Sequence, residues 1–107
     1  MIIRYGVVAI SALVLGGCAS APSGGTWVNY ACNDGQQVQA AYPDSNTATV
    51  KIKGETHTLH IAIAGSGARY VGDGWQWWTK GMHDGMLAPL AAGESVASAP
   101  AVVCHAD

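Results

Sequence analysis

Residues 47–63 read TATVKIK, Gly, ETHTLHIAI. In the first run Ala48, Val50 and Ile52 point one way, and Thr47, Thr49, Lys51 and Lys53 point the other. In the second run Leu59, Ile61 and Ile63 share a face, with His57 on the same side. Apolar side chains at period two define half-buried strands; on a helix they would be scattered around the circumference. Lys53-Gly54 between the runs reads as a tight hairpin turn. The rest of the chain repeats this arrangement, and no segment carries a convincing helical period. Strands at 27–32 and 36–42 flank Asn33-Asp34-Gly35, whose Asp-Gly is a strong hairpin signal. Pro43-Asp44-Ser45 is another turn. Gly72-Asp73-Gly74 separates a strand at 69–71 from one at 75–80. His83-Asp84-Gly85 precedes a short strand at 86–90, and an Ala/Ser/Gly loop at 91–100 leads to the last strand, 101–105.

Eight short strands with tight turns predict an all-β fold, an antiparallel sandwich or barrel. In so short a chain closure is favoured, because a closed sheet has no edges left to protect. The expectation is therefore a small eight-stranded antiparallel β-barrel.

The N-terminus has to be set aside before fold reasoning. MIIRYGVVAISALVLGG carries one early cation, Arg4, then an apolar run at 7–15, then small residues. That is the order of a secretory signal, too short for a stable membrane span. It ends at Leu15-Gly16-Gly17-Cys18, which resembles a bacterial lipobox. Such a signal, 1–17, is cut before the cysteine, and Cys18 then carries acyl chains, palmitate among them. Each buried CH₂ of such a chain contributes roughly 0.8 kcal/mol, so several chains anchor firmly. An ordinary signal peptide with an incidental cysteine is the blander alternative. Residues 18–25 hold the lipidated cysteine and the flexible tether ASAPSGG. One folded domain occupies 26–107. Ala19 follows the cysteine, where an aspartate commonly retains such proteins in the inner membrane. Residence in the outer membrane, facing the periplasm, is expected.

Cysteine count and charge narrow the chemistry. With Cys18 given to lipid, Cys32 and Cys104 remain, and in an exported protein two leftover cysteines pair in one way. Their disulfide would tie the first strand to the last. With Arg4 gone with the signal, four lysines and arginines face seven carboxylates, a net of −3. A mildly acidic surface argues against nucleic acid and suits a basic protein partner.

Candidate chemistry is sparse. Ser66 sits between Gly65 and Gly67, but the outer glycines of a nucleophile elbow are absent and no strand-to-helix unit surrounds it. No lysine follows it three residues on, and no spacing marks one of the four histidines as its base. His57 and His60 are three apart, which on a strand sends them to opposite faces, so they cannot clasp one metal ion. No cofactor or metal is expected. Trp75 and Trp77 share one strand face and Trp78 takes the other. In a chain without phenylalanine some of them must fill the core. An exposed one would suit sugar stacking, which keeps a peptidoglycan-binding or structural envelope lipoprotein as the alternative reading. Gly65 and Gly67 permit a sharply turned loop that projects a short polar side chain.

The stretch GSGARYVGDGWQWWTKG, at 65–81, carries a resemblance to a known family. Ser66, Gly67 and Tyr70 meet an SGxxY motif, and Trp78 and Lys80 meet a lysine-bearing strand motif. Both are motifs of the MliC/PliC family, the membrane-bound and periplasmic inhibitors of C-type lysozyme. The opening Tyr30-Ala31-Cys32-Asn33-Asp34-Gly35 resembles that family's Y-x-C-x-x-G segment, and Cys104 matches the partner in its disulfide. The resemblance covers the chain beyond the tether, and the lipobox points to the membrane-bound branch. It implies an eight-stranded antiparallel barrel with no enzymatic activity. It further implies a partner, C-type lysozyme, whose catalytic cleft receives Ser66, Gly67, Arg69, Tyr70 and Lys80. Tyr70 either fixes the loop or contacts the cleft. Arg69 either reaches lysozyme or packs beneath the loop.

Overall fold

The computed structural model describes residues 26–107. The signal at 1–17, Cys18 and the tether lie outside the described residues. Eight strands follow one another: β1 (Val28–Cys32), β2 (Gln37–Asp44), β3 (Thr47–Ile52), β4 (Glu55–Ala62), β5 (Ala68–Gly72), β6 (Trp75–Lys80), β7 (Asp84–Pro89) and β8 (Val102–His105). Each pairs antiparallel with the next, and β8 returns to β1, so the sheet closes into the expected barrel.

Period two is realised most cleanly in β3. Ala48, Val50 and Ile52 are buried while Thr47, Thr49 and Lys51 face outward. The two-residue hairpins have the dihedrals their sequences imply. Lys53 and Gly54 sit at φ 52° and 83°, and Asp73 and Gly74 at 52° and 82°. Two successive left-handed residues match the right-handed twist of the flanking strands.

With no phenylalanine available, Trp77 fills the centre of the barrel and is fully buried. It fits because β7 offers Gly85 beneath its ring; a Cβ there would collide with the indole. Tyr30 packs edge-on against it, with centroids 4.9 Å apart. The indole Nε1–H donates to the Tyr42 hydroxyl at 3.0 Å, which in turn bonds the Tyr30 hydroxyl at 2.9 Å. The polar atoms of these large side chains thus satisfy one another inside the barrel.

Cys32 and Cys104 stand opposite each other across the β1–β8 seam and are joined in a disulfide. This seam has only two register pairs, against six between β6 and β7, so the covalent link sits at the weakest closure of the sheet.

Three expectations are corrected: Asp84 and Gly85, expected before the seventh strand, belong to β7, and the turn there is 81–83. Pro43 and Asp44 belong to β2, and the turn is Ser45-Asn46. The β2–β3 register shifts between Ala41 and Asp44, and this irregularity accommodates a residue without an N–H. The apolar face of β4 also runs out sooner than its alternation suggests. Leu59 is fully buried, but Ile61 is 40% exposed and Ile63 91% exposed. Pairing of β4 with β5 ends at Ala62, so the chain leaves the barrel before Ile63 can be covered.

Candidate functional site

An antiparallel barrel gathers alternate connections at one end. Here the β2–β3 turn, the β4–β5 connection (63–67) and the β6–β7 turn (81–83) share an end. Ser66 and Gly67 lie in the second of these, and Lys80 closes β6 just before the third.

The Ser66 side chain is exposed while its backbone is fixed. Its carbonyl accepts the Trp78 indole N–H at 2.7 Å. Gly67 follows at φ 69°, a conformation that favours glycine, and a Cβ there would collide with the Thr79 carbonyl oxygen. Backbone angle and lack of room therefore both call for glycine at 67. Gly65, expected to share this role, has open space beside it and no left-handed φ.

Trp78 also meets Lys80, whose ammonium lies 4.8 Å from the centroid of its ring. Residues i and i+2 of a strand share a face, so the outward side of β6 carries Gln76, Trp78 and Lys80 in a row. One half-buried indole thus bonds the serine loop through its edge and carries the lysine over its face. The structure brings Ser66, Gly67 and Lys80 together on this bracket.

Arg69 packs beneath the loops. It stands opposite Trp78 in the β5–β6 register and is only 6% exposed. Its Nε donates to the Ile63 carbonyl at 2.8 Å, and one terminal nitrogen donates to Gln76 Oε1 at 3.0 Å and to the Ser95 carbonyl at 2.9 Å. Gln76 Oε1 also accepts the Ala97 N–H at 3.2 Å. The β7–β8 loop, 90–101, thereby straps the outer face of β5 and β6. Glu94 braces that strap, accepting the Ser98 hydroxyl and the Ala91 N–H, and these bonds hold its carboxyl below the usual carboxylate range.

Tyr70 points into the barrel, 6% exposed, with its ring 5.8 Å from that of Tyr42. It lines a cavity of about 270 Å³ at the barrel mouth, with Val28, Tyr30, Tyr42, Thr79, Gly81 and Met82. Burial pushes its hydroxyl above the ordinary phenol range, and that of Tyr42 further still.

The sequence motif includes Trp78 but does not reveal it as the bracket, because a bond from an indole N–H to a loop carbonyl leaves no periodic trace. Trp77 is fully buried, and Trp27, Trp75 and Trp78 are half-buried. His57 faces inward beside Leu59 and His60 faces out, as strand parity requires. Among the described residues no three metal-ligating side chains gather.

Fold and site together describe a binding protein: a small braced barrel that holds a polar loop and a lysine outward at one end. Residues 30–94 match the family described as MliC, membrane-bound lysozyme-inhibitor of c-type lysozyme. The membrane-bound lysozyme inhibitor of C-type lysozyme from Cupriavidus necator is 36% identical over 75 residues, covering 67% of this chain and 59% of that protein. The chain thus spans about three-fifths of the length of this curated relative. The crystal structure of Pseudomonas aeruginosa MliC in complex with hen egg white lysozyme shares the fold, with a TM-score of 0.55 and 23% identity over 94% of this chain and 99% of that one. The chain belongs to the MliC family, whose members are inhibitors, binding proteins rather than enzymes.

Proposed function

We propose that the barrel at 26–107 inhibits C-type lysozyme by placing the Ser66–Tyr70 loop and Lys80 in the catalytic cleft of the enzyme. The observation that carries this reading is the Trp78 bracket, which presents Ser66 and Lys80 together at one end of the barrel. Membership in the MliC family supports the inhibition of C-type lysozyme in this reading.

The chemistry follows from how a retaining glycosidase works. Lysozyme, the type case of such enzymes, sets two carboxyl groups about 5 Å apart, one a protonated acid and the other ionised. An apolar pocket raises the pKa of the acid. The Ser66 hydroxyl donates to a carboxylate where a sugar hydroxyl would sit. The Lys80 ammonium beside the acid favours its ionised form, so the acid loses the proton it must give. The loop offers no glycosidic bond, so occupancy leads to no turnover. Gly67 permits the turn, and Arg69 and Tyr70, each only 6% exposed, anchor the base of the stretch that enters the cleft. The acidic net charge of the chain speeds encounter with a strongly basic enzyme.

The reading extends to location. A signal at 1–17, lipid on Cys18 and a tether to residue 25 would hang the barrel from the outer membrane into the periplasm. Mass spectrometry of membrane-extracted protein is expected to find acylated Cys18 at the N-terminus, and gradient fractionation to find the protein with outer-membrane markers. Recovery with inner-membrane markers contradicts the location.

Inhibition of hen egg white lysozyme, followed by the clearing of a cell-wall suspension, tests the function. The parent protein should inhibit. Ser66→Ala removes a donor to a charged acceptor and should cost about 1.5–3 kcal/mol of affinity. Lys80→Ala should cost 2 kcal/mol or more, roughly thirtyfold. Both variants should melt with the parent. If both inhibit as well as the parent, the plug is wrong and the envelope-binding alternative gains.

A further inference from the structure

Among the described residues the two most exposed large apolar side chains are Ile63, at 91%, and Met82, at 83%. Both lie at the end of the barrel that carries Ser66 and Lys80. Neither belongs to a slack segment. Ile63 opens the β4–β5 connection, and its carbonyl accepts the buried Arg69 Nε–H at 2.8 Å. Met82 sits in the turn after Lys80 and forms part of the rim of the apolar mouth cavity, beside Gly81 and Thr79. Turns of this kind are normally filled by small polar residues. A single apolar side chain in water is ordinary. Two of them at the one end that bears the polar pair, with an apolar cavity beside one, concentrate exposed apolar surface where an interaction site would have it.

We propose that Ile63 and Met82 form an apolar collar around Ser66 and Lys80 and pack against the apolar walls of the C-type lysozyme cleft. The inference rests on the lysozyme reading above and deepens it. A cleft that keeps a carboxylic acid protonated does so with apolar surface. A partner that sends only polar groups into it leaves that surface in contact with water. The collar covers it. It also excludes water from the ring around the central pair, as the surround of a hot spot does. In the drier site the Lys80 ammonium acts more strongly on the acid, since charge interactions grow as the local dielectric falls. The Arg69 bond to the Ile63 carbonyl holds the collar ready, so little ordering is needed on binding.

The test is calorimetric titration of the full chain, in mild detergent, with hen egg white lysozyme. Ile63→Ser and Met82→Ser are the variants, with Lys80→Ala as the reference for the plug. Each collar variant should melt with the parent, because both side chains already lie in water. Each should bind about tenfold more weakly, the scale of leaving one large apolar side chain unburied. The loss should persist at high salt, whereas the loss in Lys80→Ala should shrink as salt screens it. The heat-capacity change on binding should be less negative in the double variant than in the parent. If Lys80→Ala weakens binding and both serine variants bind as the parent does, the collar is overturned and the plug stands. If the parent does not bind lysozyme at all, plug and collar fall together.

Discussion

Trp78 joins the two groups on which the proposed function depends. Its indole N–H bonds the Ser66 carbonyl at 2.7 Å, and its ring face lies 4.8 Å from the Lys80 ammonium. The edge bond and the face contact can be separated by substitution. Phenylalanine keeps a face for the lysine and removes the donor that pins the serine loop. Trp78→Phe should therefore weaken inhibition by about 1 kcal/mol, roughly fivefold, the net worth of one hydrogen bond. Lys80→Ala in the Trp78→Phe background should cost about as much again as it does in the parent, since the face survives. Inhibition constants for the two single variants and the double one decide this. Full inhibition by Trp78→Phe would show that the loop is positioned by Gly67 and the backbone alone.

Among the elements, the β7–β8 loop departs most from what its sequence suggests. Ala, Ser and Gly at 91–100 read as filler, yet this segment covers the outer face of β5 and β6 and buries Arg69. Strand parity places Arg69 on the outward face correctly, and outward ordinarily means solvated. The burial comes from backbone groups of Ser95 and Ala97, which carry no residue signature. The strands themselves were legible, because most inward positions are apolar and the Lys53-Gly54 and Asp73-Gly74 turns need left-handed residues. Ser66, Gly67 and Lys80 were legible as a motif; the bracket and the brace beneath them arise from long-range contacts and were not. Arg69→Met should leave the Ser95 and Ile63 carbonyls without their donor, at about 1–3 kcal/mol for the lost part-buried bonds to a charged group. Each kcal/mol lowers the melting point of a domain this size by about 4–8 °C. Thermal unfolding of Arg69→Met checks it, and an unchanged melting point would mean that the strap holds without the guanidinium.

At the scale of the whole molecule, stability is concentrated where the barrel closes. A core of thirteen buried residues has little surplus, and small domains of this kind depend on a covalent staple. The Cys32–Cys104 bridge closes a loop of 72 residues. In the chain-entropy model that restricts the unfolded state by about 4 kcal/mol, against a total stability of roughly 5–15 kcal/mol for ordinary domains. The seam it spans has two register pairs, so its loss should first release β1 and β8 while the better-paired β2–β3–β4 and β6–β7 ladders persist longest. Replacing both cysteines by alanine should lower the melting point by about 15–30 °C. Amide exchange in β1 and β8 should rise before exchange elsewhere. The loop joins β4 to β5 and the lysine ends β6, none of them a strand of the seam, so the variant should still inhibit lysozyme at temperatures where it remains folded. If the variant instead melts with the parent, or β5 and β6 exchange first, closure is carried by the core and the bridge is incidental to it.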